Sequence, residues 1–292
     1  MRSILRLSVV AAAAAAALTA CRPDEVITTP DVPTAGVRFI NASPDTSGAY
    51  GMDFRFVDLV ENNQQFRHTF RSVPVTGSGV TISSLVQFKP AKATTPREFV
   101  VFLDDTLQSI AKTKVFTGTA NLTAGVNYTY IVWGRGRGGT LKLDNWADDV
   151  PDPGNKVALR VINATETPID VRAFVTGATV PAAPTWAKVP GLSKSGYVLV
   201  DPAAITYNVR LADATANLFA NLTAIPGAAA TSSAGAGAKL DRCATPGTSV
   251  AGSAVSLIVF PASTPGARTP QIAAFQVPAG TFVWDRRPPC GF

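Results

Sequence analysis

A short sequence pattern occurs twice in this chain, and its repetition constrains the fold more than any other feature. The pattern is apolar-Arg-apolar-Ile-Asn-Ala-hydroxyl, followed by Asp-apolar-Arg-apolar. It occupies 37–43 with 53–56, and again 159–165 with 170–173. Two copies in the same order predict a duplicated structural unit. A chain of 292 residues has room for two ordinary domains.

Apolar and polar residues alternate within each copy, as in a β-strand with one face in water. Two further alternating stretches recur in the same order. One precedes an aspartate (99–103 and 207–211), and the other follows an Ala-Gly turn (128–133 and 255–260). Short runs rich in Val, Ile, Thr, Phe and Tyr favour strands over helices. We therefore expect an all-β fold.

The expected architecture is two tandem immunoglobulin-like β-sandwich domains. The first is placed at 35–150 and the second at 155–292, with an Ala/Gly/Ser-rich insertion near 227–248. Asp148 to Gly154 is rich in Asp and Pro, and we expect it to form a short, stiff linker.

The N-terminus has the features of a secretory signal. Arg2 and Arg6 precede an apolar run at 7–17, and Leu-Thr-Ala-Cys follows at 18–21. The apolar run is shorter than a transmembrane helix usually requires. Leu-Thr-Ala-Cys resembles the bacterial lipobox, which implies cleavage before Cys21 and lipidation of its thiol. The alternative is a plain signal peptide with an incidental cysteine.

The lipobox resemblance also implies a location. Residues 1–20 would be the signal peptide, and 21–34 the lipidated N-terminus with a flexible, Pro-containing tether. Two or more acyl chains anchor a protein stably to a membrane. Arg22 stands where enteric lipoproteins of the inner membrane carry aspartate, so we expect the outer membrane, at its periplasmic or surface face.

The three cysteines fit this interpretation. If Cys21 carries lipid, Cys243 and Cys290 remain as a disulfide pair in an oxidising compartment. The competing metal site lacks ligands, since His68 is the single histidine. We expect no cofactor and no metal.

The sequence matches known catalytic patterns only weakly. His68 lies in Phe66–Phe70 without a G-x-S-x-G elbow, and a surface position is expected. The adjacent acids at 104–105 and 148–149 could serve a glycosidase, but neighbours on a strand point to opposite faces. They are interpreted as strand-end turns. The stretch 144–152 lacks the EF-hand pattern. Its clustered carboxylates leave a weak Ca²⁺ site as an alternative interpretation.

The glycine-arginine stretch Gly134–Gly139 is followed by a strand pattern rather than the helix that a phosphate loop requires. We expect a hairpin loop with two exposed arginines. The net charge of +6 includes two arginines of the leader, so no nucleic-acid partner is expected. Trp133 is expected in the core, whereas Trp146 and Trp284 are candidates for stacking on sugars.

The Arg-apolar-Ile-Asn-Ala-Ser/Thr opening, the Ala-Gly-x-x-Tyr-Thr entry at 124–129 and the Asp-rich Pro-Gly join together resemble domain-of-unknown-function family 4397. That family occurs in tandem in exported and lipid-anchored bacterial proteins. The resemblance implies a β-rich, sandwich-like domain. It implies no established activity and no catalytic residues.

The expected function is therefore a lipid-anchored envelope protein that acts as a non-catalytic binding or structural module. Its partners would be the membrane, through the lipid, and an envelope protein or polysaccharide. The alternative is a hydrolase that acts on envelope or extracellular polysaccharide.

Overall fold

A computed structural model of the chain describes residues 32–44, 51–58, 70–73, 88–93, 96–104, 108, 112–136, 138–230, 243–262 and 279–288. The named elements are seventeen β-strands, which confirms the expected all-β, sandwich-like fold. The strands form four sheets, two in each half of the chain.

The N-terminal half contributes an inner sheet, ordered β4-β1-β7-β8, and an outer sheet, ordered β3-β2-β5-β6. Its eight strands are β1 (Thr34–Asn41), β2 (Gly51–Phe56), β3 (Phe70–Val73), β4 (Lys89–Lys92), β5 (Arg97–Asp104), β6 (Lys114–Ala120), β7 (Asn127–Trp133) and β8 (Lys142–Ala147).

The C-terminal half also has two sheets. The inner sheet is ordered β12-β9-β16-β17, with β13 also paired to β9, and the outer sheet is ordered β11-β10-β14-β15. Its nine strands are β9 (Val157–Asn163), β10 (Ile169–Val175), β11 (Trp186–Val189), β12 (Ser193–Lys194), β13 (Val198–Val200), β14 (Ile205–Leu211), β15 (Asn217–Thr223), β16 (Ala254–Phe260) and β17 (Ala279–Arg286).

The two halves have matching strand pairs. The first strand of each inner sheet runs parallel to a late strand, β1 to β7 and β9 to β16, whereas the other pairs are antiparallel. In each outer sheet the second strand of the half pairs with the next long strand, β2 with β5 and β10 with β14. Every strand pair in the described part of the chain joins strands of the same half.

The Ala-Gly turns before β7 and β16 are equivalent in detail. Gly125 and Gly252 have φ values of 77° and 80°, which glycine adopts readily. The Gly125 amide donates to Thr34 O at the start of β1, and the Gly252 amide donates to Lys156 O just before β9. The same turn thus fixes the parallel strand pair in each half.

Each half has its own apolar core between its two sheets. In the N-terminal half Phe54 lies at the centre, with ring centroids 5.4 Å from Phe39, 5.4 Å from Phe99 and 4.9 Å from Tyr130. The C-terminal core contains Tyr207, whose ring centroid lies 6.5 Å from that of Trp186.

A third apolar cluster lies between the two inner sheets. Its buried members alternate along the strands with the residues of the two sandwich cores: Ile40, Ala42, Ile131 and Trp133 from the N-terminal half, and Ile162, Ala164, Ile258, Phe260 and Val283 from the C-terminal half. Both faces of the inner sheets are therefore covered, which explains why every residue of β9 and β16 is buried. Residues from Thr34 onward form one compact unit.

Candidate functional site

The first arginine of each copy of the duplicated pattern lies between the two inner sheets. Arg38 on β1 and Arg160 on β9 point away from the apolar residues on either side of them, which enter the sandwich cores. Neither guanidinium side chain has any exposed surface. The alternation in the sequence predicted a solvated face for Arg38, but the other half of the chain covers that face.

Each arginine first contacts a hydroxyl group on the parallel neighbour strand. Arg38 Nε donates to Thr129 Oγ1 at 2.8 Å, and Arg160 Nε donates to Ser256 Oγ at 2.7 Å. The two pairs occupy equivalent positions, because Arg38 is in register with Thr129 and Arg160 with Ser256.

Two aspartates complete the network, Asp148 directly after β8 and Asp285 within β17. Thr129 Oγ1 donates to Asp148 Oδ2 at 2.5 Å, and Ser256 Oγ donates to Asp285 Oδ2. Each half therefore carries an arginine, a hydroxyl and a carboxylate in a chain of hydrogen bonds.

The arginines cross over to the carboxylates of the opposite half. Arg38 Nη2 donates to Asp285 Oδ1 at 2.6 Å, and Arg160 Nη2 donates to Asp148 Oδ1 at 2.7 Å. Arg160 Nη2 also reaches Asp285 Oδ1 of its own half at 3.0 Å. The side chains of all four charged residues have no exposed surface. We call Arg38, Asp148, Arg160 and Asp285 the arginine–aspartate network.

The charges of the network favour the ionised forms of Asp285 and Arg160. Burial by itself would raise the pKa of Asp285, but the charges of Arg160 and Arg38 outweigh burial and leave the pKa below its ordinary value. Burial would likewise lower the pKa of Arg160, and the charge of Asp285 reverses the shift. Two positive and two negative groups balance in a region that water does not reach.

Aromatic rings cover the network. The Arg38 guanidinium lies 4.5 Å from the centroid of the Phe88 ring, and that of Arg160 lies 4.7 Å from the Tyr197 ring. Trp146 Nε1 donates to Asp148 Oδ1 at 2.9 Å. Burial, followed by the charge of Asp285, raises the pKa of the Tyr197 hydroxyl well above its ordinary value.

The asparagine of the duplicated pattern organises the chain just beyond the strand. Asn163 Nδ2 donates to the carbonyls of Thr167, Val189 and Pro190 at 2.9, 3.0 and 3.0 Å, and its Oδ1 accepts from the Thr165 amide. In the first copy Asn41 Oδ1 accepts from the Ser43 amide. These contacts give the asparagine a structural role in a turn.

The side chain of Asp148 has no exposed surface, which a solvated linker does not predict. The next acidic residues form ion pairs with the C-terminal half. Asp149 lies 3.1 Å from Lys194 Nζ, and Asp152 lies 3.2 Å from Arg286 Nη2. Among the residues with described positions, no group of three or more His, Cys, Asp and Glu side chains is arranged to hold a metal ion.

The glycine-arginine loop after β7 lies at the edge of the contact between the halves. Arg135 Nε donates to both carboxylate oxygens of Glu166 at 3.1 Å, so it forms an ion pair with the turn after β9. The connection between β1 and β2, Ser43 to Gly51, is described only at its ends.

The described tryptophans differ in burial. Trp133 is buried, as expected, but in the cluster between the inner sheets, and its Nε1 donates to Asp144 at 2.8 Å. Trp146 and Trp284 are half-buried and pack at the edges of apolar clusters.

Several residues from the sequence analysis lie outside the described part of the chain: Cys21, His68, Asp105 and Cys290. Cys243 is described at an exposed position. Its pairing with Cys290 stays a prediction.

The network offers no atom to a substrate that arrives from solvent. Its aspartate oxygens accept from the two arginines and from Thr129, Ser256 and Trp146, and its four side chains lack exposed surface. Its chemistry is that of a buried ion pair cluster that joins two apolar faces.

No protein-family model and no curated protein matches the chain. In the described ranges, no helix is long and apolar enough to cross a membrane.

Proposed function

We propose that the chain is a lipid-anchored protein of the bacterial cell envelope that acts as a non-catalytic binding or structural module. The arginine–aspartate network is the observation that supports the non-catalytic role in this proposal. Ionisable groups with perturbed pKa values suggest an active site when they line a cleft. Here they are enclosed between two sheets and connect one sandwich to the other.

The direction of β1 supports display of loops away from a membrane. Because β1 and β7 are parallel, Asn41 and Trp133 lie at one end of the inner sheet and Thr34 at the other. β1 has eight residues and spans about 26 Å. A tether that leads into Thr34 would leave the loop after Trp133 at the far end.

The same far end carries turns from both halves. The Arg135–Glu166 ion pair places the loop between β7 and β8 beside the turn between β9 and β10. Loops on a rigid β-scaffold are common binding surfaces. The partner in this proposal is an envelope protein or polysaccharide that contacts these adjacent loops.

A pull-down of the lipidated protein from its own envelope tests the proposed partner. We compare the wild type with Arg135→Glu in the loop and with Lys156→Ala at the opposite end. The exposed Arg135–Glu166 pair contributes little to folding, so the loop variant should stay folded. The wild type and Lys156→Ala should retain a common partner that Arg135→Glu loses. Equal recovery by Arg135→Glu would argue against this loop as the contact surface.

The anchor and the disulfide have separate tests. Intact-mass analysis of membrane-extracted protein should show a chain that starts at Cys21 with added acyl mass, and an unmodified Cys21 thiol would contradict the anchor. Peptide mapping without reduction should link Cys243 to Cys290. Closing that loop should contribute about 3–4 kcal/mol.

A further inference from the structure

The contact between the halves has the reciprocity of a homodimer interface. The arginine of the first half contacts the aspartate of the second, and the arginine of the second contacts the aspartate of the first. Equivalent surface patches that contact each other in both directions define an isologous interface, the commonest arrangement in symmetric dimers.

We propose that the inner-sheet face of each half is a homotypic docking surface whose partner is another copy of the same unit. Within this chain that partner is the other half. The interface, rather than the covalent connection, holds the halves together, and the arginine–aspartate network selects the partner and its register. This proposal concerns assembly of the chain itself and is independent of any external binding partner.

The apolar part of the surface supplies the attraction. Ile40 and Ile131 of one inner sheet and Ile162 and Ile258 of the other are fully buried in the shared cluster. In an unpaired half these side chains would lie beside a charged arginine on an open sheet face. Burial of such a strip favours association, as in permanent dimers.

The charged part of the surface supplies selectivity. A buried ion pair adds little to affinity compared with an apolar replacement, but a charge left without its partner is costly. If the opposing surface lacked its aspartate, Arg38 or Arg160 would have fewer hydrogen-bond acceptors. The network therefore disfavours other apolar surfaces and shifted registers.

The connecting segment contacts the C-terminal half. Asp149 pairs with Lys194, Asp152 pairs with Arg286, and Arg286 Nη1 donates to Pro151 O at 3.5 Å. Asp148, by contrast, is fixed to the N-terminal half by its own amide, which donates to Asn127 O at 2.7 Å. A cut within 153–155 therefore leaves the four members of the network in their places.

Cleavage of the folded full chain tests the proposal. A protease recognition sequence is inserted between Pro153 and Gly154, the purified protein is cut, and the fragments are followed by native size exclusion and sedimentation at low micromolar concentration. We expect the two halves to remain together. Separation of two folded halves under these conditions would overturn the proposal.

Substitutions then test the role of the network. Asp285→Asn should weaken association of the cut halves by roughly tenfold or more. The matched control is Asp201→Asn, because Asp201 forms an exposed pair with Lys156 inside the C-terminal half. The control should associate as the wild type does. Equal association of Asp285→Asn and the wild type would exclude the network as the selective element.

Amide hydrogen exchange answers the same question in the uncut chain, should the insertion prevent folding. Asp285 lies in the C-terminal half, so a role in the stability of that half alone would leave exchange in the N-terminal half unchanged. If the network joins the halves, exchange should also become faster in β1 and β7 of the N-terminal half. Faster exchange limited to β9, β16 and β17 would contradict the proposal.

Discussion

Arg38 Nη2 donates to Asp285 Oδ1 at 2.6 Å across 247 positions of sequence, and neither side chain has exposed surface. This contact links the first strand of the N-terminal half to the last described strand of the C-terminal half. Its counterpart, from Arg160 to Asp148, links the halves in the opposite direction. The contact between the two copies thus explains the first arginine of each copy of the sequence pattern.

Removal of one carboxylate from the network should destabilise the protein strongly. Asp285→Asn leaves two buried guanidinium groups with one buried aspartate, Asp148. Loss of one partner of a buried pair costs about 3–5 kcal/mol. Urea unfolding should therefore show a lower free energy of unfolding for Asp285→Asn. Asp201→Asn, in an exposed ion pair, should change it by less than about 1 kcal/mol.

The lowered pKa of Asp285 predicts that the protein loses stability in acid. The pKa of Asp285 in the folded protein lies below its ordinary value, so an unfolded chain binds the proton more readily. Its contribution is present above the ordinary aspartate pKa of about 3.9 and is lost as the pH falls through the folded-state pKa. Thermal unfolding below about pH 4 should therefore be less pH-dependent in Asp285→Asn than in the wild type. Parallel curves for the two proteins would argue against this assignment.

The turn asparagine gives a prediction that is independent of charge. Asn163→Ala removes donors to three carbonyls and an acceptor for the Thr165 amide. Buried groups left without partners cost about 1–3 kcal/mol, so the melting temperature should fall. Asn163→Asp should also destabilise, because a carboxylate cannot donate to carbonyls. Asn155→Ala, at an exposed position, is the control and should melt as the wild type does.

Local sequence pattern predicted the strands well, because a period of two depends only on neighbouring residues. The stretches around Phe39, Phe54, Val101, Tyr130 and Leu257 all lie in strands. The expectation failed where a contact joins distant parts of the chain. Alternation shows that Arg38 and Phe39 point to opposite faces, but it does not distinguish a face that meets water from one that meets another sheet.

Asp148 illustrates the same limit. Among Asp, Pro and Gly it has the local composition of a linker, and its burial depends on Arg38 and Arg160. One signal was present in the sequence. The run Val255 to Phe260 is apolar except at Ser256, which is typical of a strand covered on both faces. Such a run indicates that something packs on the second face, without identifying the partner.

The last prediction concerns activity. We expect purified protein from residue 22 onward to show no turnover of polysaccharides or esters. In the described part of the chain, the charged side chains of the arginine–aspartate network have no exposed surface, so a substrate in solvent does not reach them. Asp149, an exposed acid beside the network, forms a hydrogen bond with Lys194, which lowers the pKa of Asp149 below its ordinary value. A general acid near neutral pH requires the opposite shift. Reproducible turnover that is abolished by Asp149→Asn, Asp105→Asn or His68→Ala, each with an unchanged melting temperature, would establish an enzyme instead.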